Sequence, residues 1–101
     1  MPTMVDINVE NFRFDADDNN STQVDTLTIN VGDTVKWNRV AGSHTVTSGE
    51  ASSAPDAGNL FDEPLNSSNQ NFSFTFTETG TFLYFCRPHE SLNMKGIIAV
   101  Q

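Results

Sequence analysis

Apolar and β-branched residues recur along the chain in short runs separated by clusters of turn-forming residues. No window keeps the helical spacing of apolar residues over three turns, whereas several runs are rich in Val, Ile, Thr and Phe. The pattern therefore predicts an all-β protein. The predicted strands are residues 4–9, 12–14, 26–30, 34–38, 44–47, 71–77, 81–85 and 96–100.

One of these runs shows the alternation of a half-buried strand. Phe72, Phe74 and Phe76 are separated by hydroxyl residues. Because successive side chains of a strand point to opposite faces, one face of this strand is aromatic and the other polar. About eight such short strands, with turn residues such as Gly32 and Gly80 between them, favour a Greek-key two-sheet β-sandwich.

The segment between residues 48 and 69 breaks the strand pattern. It is dominated by Ser, Ala, Gly, Asn and Asp and contains Pro55 and Pro64, so we expect a long surface excursion with little regular structure. Phe61 and Leu65 are expected to attach it to the core. Residues 15–21 alternate acids and amides like a calcium loop but lack its turn glycine and closing glutamate, so an exposed polar loop is expected.

Length and charge narrow the range of functions. The 101 residues are enough for one domain, predicted to span residues 1–101, and no run of 18 apolar residues occurs that could cross a bilayer. Thirteen acidic against five basic residues give a formal charge of −8, which would repel nucleic acids and anionic lipids. A protein partner is therefore expected to be basic, and the protein itself is expected to be a monomer.

The candidate chemistry lies in four scarce residues. Cys86 is the only cysteine, His44 and His89 are the only histidines, and the spacing Cys-x2-His-x4-Met places Met94 close behind. A trigonal His2Cys set with a weak axial methionine suits a copper that cycles between Cu(I) and Cu(II). Zinc would prefer other ligands to methionine, although it could occupy such a site in a recombinant preparation. An iron–sulfur cluster needs more cysteines.

Four segments carry a resemblance to a known family: residues 33–38 (DTVKWN), 43–46 (SHTV), 80–89 (GTFLYFCRPH) and 94–96 (MKG). They resemble the cupredoxins, specifically the plastocyanin and halocyanin branch, over most of residues 26–100. The resemblance implies a Greek-key β-sandwich that carries one electron through one type 1 copper. It also implies that His44, Cys86 and His89 are strong ligands and that Met94 is the weak axial ligand.

The resemblance further implies where electrons would pass. The second histidine of the ligand loop lies at the surface in this family, so His89 is the expected port for electrons between larger redox proteins. Pro88 and Leu92 are expected to form an apolar docking patch around it. Because members of this family usually work outside the cytoplasm, we expect the protein in a periplasm or on the outer face of the cell membrane, with a leader or anchor removed.

Three positions depart from the family pattern. Thr45 stands where many members have an asparagine that braces the ligand loops, and its hydroxyl is expected to substitute. Phe85 replaces an exposed tyrosine, while Tyr84 is predicted to face inward and to require a buried partner. Asn93 replaces a glycine before the axial methionine, which suggests a left-handed backbone conformation.

The residues alone leave two other functions open. One is an enzyme-like copper site in which Met94 does not ligate and an open position binds a small molecule; water or a backbone carbonyl could then sit axially. The other is a copper-storage module without a redox role. The absence of a third histidine as general acid or base, with only Glu90 nearby in sequence, argues against an enzyme.

Overall fold

The computed structural model describes residues 3–16 and 24–101. Most of the segment considered for calcium, residues 17–21, lies outside the described residues. The described part contains nine strands and one 3-10 helix, Glu90–Leu92. The strands are β1 (Met4–Glu10), β2 (Arg13–Asp15), β3 (Asp25–Ile29), β4 (Thr34–Arg39), β5 (His44–Ser48), β6 (Asp62–Leu65), β7 (Asn71–Thr75), β8 (Gly80–Phe85) and β9 (Lys95–Val100).

The strands form two sheets that pack face to face. The first has the order β2-β1-β4-β7 and the second the order β3-β9-β8-β5-β6. β1 pairs in parallel with β4 and β3 with β9, while the remaining pairs are antiparallel. Within the described ranges, no helix has the length and apolar character needed to cross a membrane. The predicted all-β sandwich is confirmed.

All eight predicted strands are present, with ends that differ by at most two residues. The structure adds β6, which lies inside the segment expected to carry little regular structure. β6 is an edge strand that pairs only with β5 in the described sheet, and it contains Pro64, which an edge strand tolerates. Phe61, just before β6, and Leu65, its last residue, are buried in the core, as predicted.

The core between the sheets is built around Trp37 of β4. The ring of Phe72 stacks on Trp37 at a centroid distance of 5.6 Å, and Tyr84 of β8 meets the indole edge-on at 5.3 Å. Trp37 and Tyr84 come from different sheets, so their contact joins the two layers. Each such buried side chain contributes about 1.5–3 kcal/mol through removal of apolar surface from water.

The pairing of β5 with β8 decides where the scarce residues meet. Thr47 lies opposite Phe85 and Ser48 opposite Tyr84 in this antiparallel pair. The beginning of β5 is therefore next to the end of β8. His44 is the first residue of β5 and Cys86 directly follows β8, so both lie at one end of the sandwich.

Candidate metal centre

Three of the predicted site residues converge on one point. The Nδ1 atoms of His44 and His89 lie 3.1 Å apart, and Cys86 Sγ lies 3.7 Å from His44 Nδ1 and 3.5 Å from His89 Nδ1. All three ligating atoms fall within 4.8 Å of one another. The arrangement therefore places two imidazole nitrogens and one thiol sulfur around a common centre.

The size of this triangle fits a transition metal. A triangle with these three sides has a point about 2.0 Å from each corner, close to the roughly 2.0–2.3 Å of first-row metal bonds to imidazole nitrogen and thiolate sulfur. Three strong ligands of this kind around one point match the His2Cys set of a type 1 copper. The residues therefore fit the group that the sequence predicted.

His44 is held in the form that a metal requires. Its Nε2–H donates a hydrogen bond of 2.7 Å to the carbonyl of Ala41, which leaves the lone pair of Nδ1 directed at the centre. Burial lowers the pKa of the His44 imidazole, and the hydrogen bond to Ala41 only partly opposes this. The neutral, metal-binding ring is thus the favoured form.

Cys86 is fully buried, and backbone N–H groups donate hydrogen bonds to its sulfur. Burial raises the pKa of its thiol, while the N–H groups of Thr45 and His89, which donate to the sulfur, lower it. A bound metal cation favours the thiolate outright. These two N–H donors therefore stabilise the thiolate, which is the form of the sulfur that binds a metal.

Met94 reaches the same region through the backbone. The N–H of Cys86 donates to the carbonyl of Met94 at 3.0 Å, and the Met94 side chain is fully buried in the core. Asn93, just before it, ends the 3-10 helix with φ 60° and ψ 37°. The predicted left-handed conformation is confirmed, and it turns the chain so that Met94 returns toward Cys86.

Of the three converging residues, His89 lies nearest to solvent. Its ring is half-buried and meets the ring of Phe12 at a centroid distance of 4.6 Å. Pro88 and Leu92 are exposed, and Leu92 shows 51% of its surface. Phe12, which is 44% exposed, was not among the residues predicted for this surface, because it comes from the distant β1–β2 turn.

The departures from the family pattern now have a structural explanation. The Thr45 hydroxyl accepts a hydrogen bond of 2.9 Å from the N–H of Arg87, so it braces the two ligand segments as expected. Tyr84 is 2% exposed and packs in the core, and burial raises the pKa of its phenol. An exposed tyrosine is therefore absent from the described surface beside Cys86.

Sequence reasoning missed the loop that precedes His44. Gly42 has φ 81°, and a Cβ there would lie 2.7 Å from His44 Nε2 and would collide with the Asn11 side chain. The Arg39 guanidinium donates to the carbonyl of Gly42. A glycine two residues before a lone histidine was the available signal, but the close approach that requires it is visible only in three dimensions.

Comparison with known proteins supports the same site chemistry. The profile of the family described as "Copper binding proteins, plastocyanin/azurin family" matches residues 6–101. Plastocyanin from Scenedesmus fuscus is 39% identical over 80 residues, covering 75% of this chain and 82% of that protein. Amicyanin from Paracoccus denitrificans is 39% identical over 75 residues, covering 71% of this chain but 53% of that protein.

Solved structures agree with these relatives. A Cu(I) form of an amicyanin variant superposes with a TM-score of 0.70 at 26% identity, covering 97% of this chain and 82% of that one. Oxidised plastocyanin from Dryopteris crassirhizoma gives a TM-score of 0.71 at 24% identity, covering 96% and 100%, which supports the fold. With a family profile that matches nearly the whole sequence, the chain belongs to the plastocyanin/azurin family of copper-binding proteins.

Proposed function

We propose that His44, Cys86 and His89 are the strong ligands, and Met94 the axial ligand, of the single type 1 copper in this electron-transfer protein. The protein is an electron carrier and not an enzyme, as its family and relatives indicate. The observation that carries the ligand assignment is the convergence of His44 Nδ1, His89 Nδ1 and Cys86 Sγ within 4.8 Å.

The bound copper supplies a one-electron Cu(I)/Cu(II) couple. The protein contributes a site that changes little between the two states. Hydrogen bonds from His44 to Ala41 and from Cys86 to Met94 hold two ligand segments on rigid backbone. Because the ligands need not move far when the charge changes, the reorganisation that accompanies electron transfer is small.

Burial of Met94 supports a closed carrier site over an open one. Its side chain is fully buried among core residues, and Cys86 is equally buried. His89 is the half-buried ligand through which electrons would enter and leave. These positions favour transfer through the exposed edge of His89 over binding of a small molecule to the metal.

We further propose that redox partners dock on the surface around His89 and carry a basic patch. The exposed apolar residues Phe12, Pro88 and Leu92 surround this ligand. The formal charge of −8 would attract a basic protein over long range. We propose that the carrier acts as a monomer formed by a single domain.

A location outside the cytoplasm belongs to the same proposal. The usual location of members of this family supports it. The mature chain would then be produced by removal of a leader or anchor. Fractionation of the source cells with an antibody against the protein tests this. Recovery with the cytoplasmic markers would contradict it.

The ligand assignment is tested by visible and EPR spectroscopy of the copper-loaded protein. We expect the intense visible band of a Cu(II)–thiolate, its loss in Cys86→Ala, and no change on addition of azide. Absence of the band, or its survival in Cys86→Ala, would contradict the assignment of Cys86. A spectrum that shifts with azide would instead indicate an open coordination position.

A further inference from the structure

A closed set of hydrogen bonds lies directly beside the proposed ligands. The N–H of Arg87 donates to Thr45 Oγ1 at 2.9 Å, and Thr45 Oγ1 lies 2.9 Å from Thr47 Oγ1. The Thr47 hydroxyl donates to Asp62 Oδ1 at 2.9 Å, and the Arg87 guanidinium donates to both carboxylate oxygens of Asp62 at 3.3 and 2.9 Å. We name these four residues the Asp62–Arg87 ring.

The direction of each hydrogen bond in the ring follows from the carboxylate. An ionised carboxylate only accepts, so Thr47 gives its single hydroxyl hydrogen to Asp62. Thr47 must then accept from Thr45, and this leaves the lone pairs of Thr45 to accept from the Arg87 N–H. All the hydrogens therefore point toward Asp62, an arrangement in which each bond polarises the next.

The ring connects the segments that hold two ligands. Thr45 follows His44 in β5, and Arg87 follows Cys86 after β8. The pairing of β5 with β8 ends at Thr47 and Phe85. The hydrogen bond from the Arg87 N–H to the Thr45 hydroxyl therefore connects the two segments just beyond the last paired residues. Asp62 comes from the edge strand β6 on the other side of β5.

Neither charge of the ring is explained by stability alone. The side chains of Arg87 and Asp62 are 39% and 42% exposed, and an ion pair at that exposure stabilises a fold only slightly. The Arg87 guanidinium also lies 5.7 Å from the centroid of the fully buried Phe85 ring, which fixes its direction. The geometry is thus specific although the pair is near the surface.

We infer that Asp62 and Arg87 are positioning residues for the copper site, which through Thr47 and Thr45 set the separation between the His44 and Cys86 segments. The inference rests on the proposed ligand set. The inference adds to the ligands a charged pair outside them, Asp62 on β6 and Arg87 in the loop after β8. In Asp62→Asn one of the two carboxylate oxygens becomes an NH2 donor, which cannot accept from the Arg87 guanidinium or from Thr47. The threonine hydroxyls then lose their single direction, and the hydrogen bond from the Arg87 N–H to Thr45 weakens.

The first test compares Asp62→Asn with Glu63→Gln, a control on the same strand with the same change in charge. Glu63 is exposed and neighbours Asp62 in β6 but lies outside the ring. In the Cu(I) protein, amide exchange at Arg87 should be about fivefold faster in Asp62→Asn, the factor for one hydrogen bond of about 1 kcal/mol. In the Cu(II) protein, the visible band and the copper hyperfine splitting should shift. Glu63→Gln should match the wild type in each measurement.

The second test removes the hydroxyl inside the ring. Thr45→Val should reproduce the spectral shift of Asp62→Asn, Thr45→Ser should restore the wild-type spectrum, and the double variant of Asp62→Asn with Thr45→Val should add little. The matched control is Thr34→Val, which removes a similar hydroxyl pair with Thr75 in the other sheet. Equal spectra and equal Arg87 exchange in Asp62→Asn and Glu63→Gln would overturn the inference, provided that the wild type shows the copper–thiolate band. A wild type without that band would contradict the ligand set itself.

Discussion

The Nδ1 atoms of His44 and His89 lie 3.1 Å apart although the residues are separated by 45 positions in the chain. Each ring is presented by a different element, one by the first residue of β5 and the other by the loop after β8. The Nε2–H of His44 donates to the carbonyl of Ala41, so His44 presents the lone pair of Nδ1 to this point. A metal cation between the two Nδ1 atoms and Cys86 Sγ would fit this geometry.

Replacing Met94, the proposed axial ligand, should change the redox potential more than the fold. Met94→Leu nearly conserves volume at a fully buried position, so unfolding free energy should fall by less than about 1.5 kcal/mol. Loss of the thioether donor disfavours Cu(II), so the reduction potential should rise while the visible band persists. Voltammetry of Met94→Leu and of Met4→Leu, a 58% exposed control, checks this. Equal potentials would show that Met94 is not a ligand.

Alanine at Gly42 should weaken copper binding specifically. Gly42 and Gly32 both have positive φ values, 81° and 95°, so alanine at either position costs about 1–2 kcal/mol in backbone strain. Only at Gly42 would the new Cβ crowd His44 and Asn11, because nothing lies within 4 Å at Gly32. Gly42→Ala should therefore lose about tenfold or more in copper affinity, measured by chelator competition. A similar loss in Gly32→Ala would contradict this reason.

Asp33 should make stability depend on pH in the acidic range. The N–H groups of Asn30 and Thr3 donate to its carboxylate at 2.9 Å each, and they hold its pKa below the ordinary value near 3.8. Its stabilising contribution is therefore complete above about pH 4 and disappears as the pH falls through the lowered folded-state pKa. Urea midpoints of Asp33→Asn and wild type should differ most at pH 7 and converge at low pH. A constant difference would contradict this linkage.

Association with a basic redox protein should slow as salt is added. The Debye length falls from about 30 Å at 0.01 M to about 8 Å at 0.15 M ionic strength, which screens the attraction of a chain with formal charge −8. We expect the bimolecular electron-transfer rate, followed by stopped-flow absorbance, to fall by about tenfold over this range. With an acidic redox protein as control, the rate should rise instead. A salt-independent rate with the basic partner would exclude electrostatic attraction.

Local spacing explains why much of the site could be read from the sequence. Cys86, His89 and Met94 lie within one loop, and their order and chemistry supply three of the four ligands predicted for copper. The left-handed turn at Asn93 was also predictable, because the family resemblance implies a glycine at this position and Asn is one of the few other residues that adopt that conformation. Strand periodicity also predicted eight strands, and the predicted ends differ from those in the structure by at most two residues.

The sequence by itself therefore determined the all-β class, the copper and the four candidate ligands, three of which lie in one loop. Only the tertiary structure decided what depends on contacts between distant segments. The weak strand β6 forms because β5 offers it an edge, and Asp62 reaches Arg87 across 25 positions only after that pairing. Such contacts have no local signature, because strand pairing and packing override the propensity of a short segment containing Asp, Glu and Pro.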